Sequence, residues 1–292
     1  MKRPNFFVIG APKCGTTSLV AWLSEHPQIY MSPVKEPHFF NTDHTYNVAK
    51  STKAYERLFE RACSNHRAIG EASVYYAYSN NAIPLIESYA SEPKYILCLR
   101  NPYKMVVSLH RQQLFAGYED VLEFSEAWRT HRNRISYGNL PAKCPDPIHI
   151  DYENTCKLGS LLEKVKKSIP EKRLKVLLLE DIAKDPLAEY IAVCDYLGLE
   201  RIIPRKFSVE NPAKRKINPW IHSLLRKLGR AKRAFGIERG WGFLNAIGRL
   251  NTREPLKCDI SEDVRSQLVE VFNPEIDKMS ILLNKDLSSW KM

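Results

Sequence analysis

Apolar residues in this chain come as short solid blocks separated by longer stretches of amphipathic spacing, and that alternation indicates its fold class. Residues 6–9 (FFVI) form a continuous apolar run, as expected of a parallel strand covered on both faces. Residues 28–31, 68–71, 94–99 and 174–179 read as further strands. Between them, apolar positions recur at helical spacing over 17–26, 55–63, 82–90, 102–115, 119–135, 152–169 and 186–197. Pro27 closes the first of these helices and Gly198 stops the last. Asn101 followed by Pro102 supplies a helix cap and a first-turn proline. Strand–helix alternation of this kind predicts an α/β protein with a central parallel sheet flanked by helices. A last helix over 262–283, apolar at 264, 268, 271 and 272, is expected to pack back on the core.

Beyond Pro204 the pattern changes to a polar linker, the cluster Lys214-Arg215-Lys216, and a basic amphipathic helix starting at Asn218-Pro219 with Leu224, Leu225, Leu228 and Phe235. Charge follows the same boundary. The net charge is +11, yet residues 201–257 alone carry fifteen Lys and Arg against three Glu and no Asp, so the rest is close to neutral. A basic segment of this kind faces an anionic nucleotide, an anionic acceptor, nucleic acid or a lipid surface. With 292 residues and 44% apolar composition, one domain can bury a full core. We expect a single unit over 1–292, with an α/β core at 1–203 and a basic linker and helices at 204–292.

Seven cysteines without a C-x-x-C pair suggest neither a disulfide framework nor a zinc site, and reduced thiols fit a cytoplasmic chain. The first strand begins at residue 6, which leaves no room for a signal peptide, and no run of eighteen apolar residues is present. A soluble chain with at most peripheral membrane contact is the expectation; oligomeric state is open.

The candidate chemistry lies in three places. In FFVIGAPKCGTTS, Gly10 and Gly15 bracket a tight turn, and Thr16, Thr17 and Ser18 bring hydroxyls to the start of a helix. Unpaired N–H groups and the helix dipole make such a start an anion site. The nucleotide P-loop G-x-x-x-x-G-K-[ST] has nearly this spacing, but Thr16 stands where it needs Lys, and the cation is Lys13, inside the loop. The segment YILCLRNPYKMVVS places Arg100 and Asn101 at a strand end and Ser108 about two helical turns later. The segment Lys35-Glu36-Pro37-His38-Phe39-Phe40-Asn41 follows the second strand, at the carboxyl edge of the sheet where ligands bind in open α/β folds.

Taken together these residues resemble the sulfotransferases that use 3'-phosphoadenosine 5'-phosphosulfate (PAPS), in their bacterial and heparan-sulfate branch. The resemblance runs from Gly10 to the tail Asp286-Leu287-Ser288-Ser289-Trp290. It implies a P-loop-like α/β fold, PAPS as donor, and no metal. Lys13, Cys14, Gly15, Thr16, Thr17 and Ser18 then form the 5'-phosphosulfate loop, and Arg100 and Ser108 the 3'-phosphate site. Lys214 and Arg215 belong to a late loop over the nucleotide. Glu36 becomes the general base, oriented by His38, and Lys13 neutralises the charge growing on the departing phosphate, while Lys35, His38, Tyr75 and Tyr76 face the acceptor. The acceptor is a hydroxyl on a glycan, a lipid or a carrier-bound metabolite. The sequence departs from heparan-sulfate relatives at Asn41, where they tend to have Asp, and at Ala72, where they tend to have Lys. Lys35 or His38 is the candidate replacement for that missing cation. Two other readings remain open on the residues alone. One is a nucleotide kinase or other P-loop phosphotransferase that needs magnesium. The other is a non-enzymatic protein that binds nucleic acid or a membrane surface through 201–257; few aromatics accompany the cluster at 214–216, so no nucleic-acid partner is expected.

Overall fold

The computed structural model describes residues 2–46, 48–208, 215–216, 252–253 and 259–292. Five strands form one parallel sheet: β1 (Phe6–Gly10), β2 (Ile29–Met31), β3 (Ala68–Ala72), β4 (Lys94–Leu99) and β5 (Leu174–Leu178), in the order β2-β3-β1-β4-β5. β1 is the central strand and all five of its residues are buried, as its unbroken apolar run requires. It pairs with β3 from Phe6↔Gly70 to Val8↔Ala72 and with β4 from Phe6↔Lys94. Its register against β4 shifts between Val8 and Gly10, where the strand gives way to the loop. Gly70 makes this pairing possible, because a Cβ there would lie 2.2 Å from the Phe6 ring.

The chain leaves β1 toward one edge of the sheet for β2 and β3, then returns to the other side for β4 and β5. The segments after β1, β2, β3 and β4 therefore all emerge at the carboxyl edge, around the point where strand order reverses. The three candidate segments, 10–18, 35–41 and 100–108, are brought together by topology although they are far apart in the chain.

Flanking this sheet are α1 (Thr16–Ser24), α2 (Thr52–Glu56), α3 (Ala82–Tyr89), α4 (Pro102–Ala116), α5 (Phe124–Ser136), α6 (Tyr152–Cys156), α7 (Leu158–Ser168), α8 (Leu179–Lys184), α9 (Pro186–Leu197) and α10 (Glu262–Leu283). The caps follow expectation: Asn101 Oδ1 accepts from Tyr103 N (2.9 Å), and Gly198 ends α9 in the left-handed region.

Three expected helices and one expected strand differ in extent. The one expected over 55–63 is the short α2, capped by Ser51, followed by a 3-10 turn at Arg57–Phe59. α5 starts at Phe124, because the buried Glu119 carboxylate accepts from the backbone of Asp120 and Val121 and holds that stretch out of a helix. The helix expected over 152–169 divides at Lys157 into α6 and α7. Gly159 in α7 lies so close to α10 that a Cβ would meet the Glu275 carbonyl at 2.4 Å. The apolar run expected to stay extended to 179 ends at 178, where α8 begins.

α10 packs on α7 and α4 through Val264, Leu268, Phe272, Ile276 and Met279, and Glu275 accepts from both N and Oγ of Ser160. Between residues 209 and 258 a two-stranded ribbon is described, Arg215–Lys216 antiparallel to Thr252–Arg253, and its first strand runs beside α4. Lys214 and the helix expected from 218 lie outside the described residues. Among the described residues no helix is long and apolar enough to cross a membrane, and six cysteines are free thiols.

Candidate active site

The loop between β1 and α1 reverses tightly on Gly15, which adopts φ +84° and sits against α8, where a Cβ would lie 2.7 Å from Leu179 Cδ1. Lys13 is also left-handed, at φ +64°. Its carbonyl accepts from Arg100 Nη1 at 2.9 Å, which ties the loop to the end of β4. Its ammonium donates to Gln112 Oε1 of α4 at 3.1 Å. Burial, and then the neighbouring cations Lys35 and Arg100, push the Lys13 ammonium below its usual range. Extra positive charge packed this densely around a helix start calls for an anion.

Arg100 and Ser108 line the same cleft as Gly15, Thr16, Thr17 and Ser18, a cavity of about 860 Å³. Arg100 Nε is buried and has no hydrogen-bond partner. A buried unpaired guanidinium nitrogen is costly, and a phosphate oxygen would satisfy it. The residues present therefore fit two anionic groups, one at the Lys13–Ser18 loop and one beside Arg100 and Ser108. Cys14 does not line the cleft; its thiol is buried and directed to the Pro12 carbonyl and Met105. The side chain of Arg215 lies outside what is described, as does Lys214. α8, absent from the sequence reading, supports the site from below: Glu180 Oε1 accepts from Asn101 N at 3.2 Å.

Glu36 occupies the opposite wall. Its backbone is left-handed at φ +60°, fixed by donation from its N–H to the Ala72 carbonyl at 2.9 Å, and His38 repeats the left-handed geometry at φ +47°. Lys35 Nζ lies 3.1 Å from Glu36 Oε1, and His38 Nε2 3.4 Å from Oε2. Burial raises the proton affinity of this carboxyl, but the His38 hydrogen bond and the Lys35 charge outweigh it and hold Glu36 down to about 2. His38 itself is fully buried and does not line the cleft, so it acts on Glu36 from behind. Lys35 faces the cleft and also donates to Thr17 Oγ1 at 2.6 Å. Ala72, by contrast, is buried at the end of β3. Of the two candidates for the missing cation, Lys35 is the one placed to meet a ligand.

A buried network holds this wall. Glu71, fully buried in β3, accepts from Tyr55 Oη (2.9 Å), Tyr76 Oη (2.8 Å) and Ser73 Oγ (2.8 Å). Ser73 Oγ in turn accepts from His38 N, and Tyr76 Oη from Phe39 N. Tyr76 thus stands outside the cleft and supports the loop, whereas Tyr75 lines the cleft. The sequence reading missed Tyr46, Tyr118 and His149, which join Tyr75 around Glu36. The His149 ring packs on all three tyrosines, at centroid distances of 4.9 to 5.5 Å. Its Nδ1 lies 3.1 Å from Tyr75 Oη, its Nε2 has no partner, and burial lowers it to about 4, so it is neutral at pH 7. These four residues come from four separate segments and share no spacing that a sequence could show.

The sequence matches the sulfotransferase domain family over residues 3–235. It is 28% identical over 211 residues to heparan sulfate glucosamine 3-O-sulfotransferase 3B1 of Mus musculus, covering 72% of this chain and 50% of that protein. It is 35% identical over 125 residues to membrane-associated sulfotransferase kil1 of Dictyostelium discoideum, covering 42% of this chain and 26% of that one. The chain thus spans half or less of the length of these curated relatives. A solved sulfotransferase from Alicyclobacillus acidocaldarius shares the fold, with a TM-score of 0.73 over 99% of both chains at 24% identity. The parallel sheet with its anion loop, and a family match over most of the sequence, lead to one conclusion: this chain belongs to the sulfotransferase family.

Proposed function

We propose that this domain moves a sulfuryl group from PAPS to an acceptor hydroxyl by in-line displacement, with Glu36 as the general base. The observation that carries the reading is convergence: the Lys13–Ser18 loop, the Arg100–Ser108 pair and Glu36 line one cleft, with Lys35 between loop and base. Gly15 to Ser18 and Lys13 would hold the 5'-phosphosulfate, and Arg100 and Ser108 the 3'-phosphate. When bound, PAPS supplies an activated sulfuryl group whose sulfur–oxygen bond to phosphate breaks as the acceptor oxygen bonds to sulfur. Lys13 and the amides at the start of α1 would offset the negative charge left on the phosphate side, an effect commonly contributing about 10² to 10³ in rate. Glu36 receives the hydroxyl proton, a role that typically contributes about 10² to 10⁴.

The acceptor wall supports a ring-bearing hydroxyl compound. Tyr46, Tyr75 and Tyr118 offer flat apolar faces, and neutral His149 offers a polar atom without a partner. A glycan fits this description and agrees with the name of the mouse relative. Free thiols at the six described cysteines agree with a reducing compartment such as the cytosol. The test is transfer of labelled sulfur from PAPS, in the presence of EDTA, to a panel of glycan, aryl and lipid hydroxyls. Transfer that Glu36→Gln abolishes supports the reading. Transfer of phosphate from ATP that requires magnesium favours a phosphotransferase and contradicts it.

A further inference from the structure

Glu36, as it stands, is a poor base. A general base works best with a pKa near the operating pH, and both Glu36 oxygens are already engaged, Oε1 by the Lys35 ammonium and Oε2 by His38. The remaining titratable groups that act on it are Lys13, Tyr46, Tyr75 and His149. Each partner favours the ionised form, so the release of either raises the proton affinity of the carboxylate. His38 cannot easily leave: its side chain is fully buried, its ring packs on Tyr46, Tyr75 and Tyr76, and its N–H is held by Ser73. Glu36 cannot follow a moving partner either, since its left-handed backbone is pinned to Ala72.

Lys35 is different. Its side chain is 35% exposed and long, and its ammonium is shared between Glu36 and Thr17 Oγ1, in the first turn of α1. It therefore already touches the cradle that would receive the donor's anionic end. An oxyanion placed there competes directly with the Glu36 carboxylate for one ammonium group.

We propose that Lys35 is a donor-responsive latch, which holds the Glu36 carboxylate in the donor-free protein and turns to the donor's phosphosulfate oxygens when the loop is filled, freeing Glu36 to accept the hydroxyl proton. This rests on the PAPS reading above. Lys35 is a positioning residue for the base as well as a contact for the donor. The arrangement makes the base competent only when a donor is present, so donor binding precedes productive acceptor binding.

The experiment is carboxyl ¹³C NMR on full-length protein labelled at Glu Cδ, with Glu36 assigned from the signal lost in Glu36→Gln. Titrations are run on the free protein and with PAPS in the absence of acceptor, and calorimetry confirms that PAPS is bound. In the free protein Glu36 should stay ionised below the ordinary Glu value of about 4.3. PAPS should raise its midpoint by a unit or more, about tenfold or more in proton affinity. In Lys35→Met the midpoint should be raised without donor and respond little to PAPS. A bound donor that leaves wild-type Glu36 unmoved overturns the latch, as does a free Lys35→Met protein that titrates like wild type. Failure of PAPS to bind at all is a separate result, seen in the calorimetry, that refutes the donor reading and the latch with it.

Discussion

The two walls of the cleft are built differently. The wall proposed for the donor is local: nine residues, Gly10 to Ser18, make a turn and a helix start, and Arg100 to Ser108 make a strand end and the first turns of a helix. Backbone geometry does most of the work there, and glycine, lysine and hydroxyl residues at fixed spacing are sufficient. The acceptor wall is assembled from afar. Glu36, Tyr46, Tyr75, Tyr118 and His149 come from four separate loops, and the left-handed backbone at His38 is held through Ser73 by Glu71, a buried carboxylate that does not line the cleft. A local site can be recognised from its spacing, whereas an assembled site depends on packing that becomes visible only in three dimensions.

If the walls are separable in this way, substitutions should divide between them. Glu36→Gln should lower turnover by about 10² to 10⁴ while calorimetric donor affinity stays within a few-fold of wild type. Comparable loss of donor affinity would show that the walls are not separate. Lys13→Ala should differ by losing donor affinity as well as about 10² to 10³ in turnover. Steady-state kinetics with varied donor would expose that split.

Smaller effects sharpen the same contrast. Glu71→Ala removes the acceptor for three buried hydroxyls and should cost about 1 to 3 kcal/mol in urea unfolding, together with slower turnover at unchanged donor affinity. Loss of donor affinity in this variant would place the network under both walls. Asn101→Ala removes the cap of α4 and the bond from Asn101 Nδ2 to the Trp290 carbonyl. About 0.5 to 2 kcal/mol should be lost, and here donor affinity should fall as Arg100 and Ser108 lose their common anchor.

The smallest effect is in the pH dependence. The folded-state pKa of Glu36 is depressed, so its pairing stabilises the donor-free protein above the unfolded value of about 4.3 and is lost as pH falls toward about 2. Acid unfolding curves of Glu36→Gln should therefore be shallower than those of wild type in that window; parallel curves would show that the pairing contributes no stability.

Legibility in the sequence follows the same division. The β1 run, the Gly10–Gly15 turn, the Asn101-Pro102 cap and the Lys35–Asn41 segment could be read because each is a short string with its own physical signature. α8 was missed because Val176 to Leu179 is apolar without a break, and only the packing of Leu179 against Gly15 shows where the strand ends. The helix expected over 152–169 was read as one because its division depends on the approach of α10 at Gly159. Tyr76 was taken for an acceptor contact because nothing in Tyr75-Tyr76 says which ring faces Glu71. His149 could not be found at all, since a histidine in a Pro-rich loop has no pattern until three tyrosines surround it.

Calorimetric titration of adenosine 3',5'-bisphosphate, in EDTA, into wild type and Arg100→Ala tests the central claim most directly. The two-anion cleft predicts metal-independent binding in wild type that falls at least tenfold in Arg100→Ala, consistent with loss of a charge-assisted contact of roughly 1.5 to 3 kcal/mol. Equal binding by the two proteins, or binding that appears only with magnesium, would contradict it.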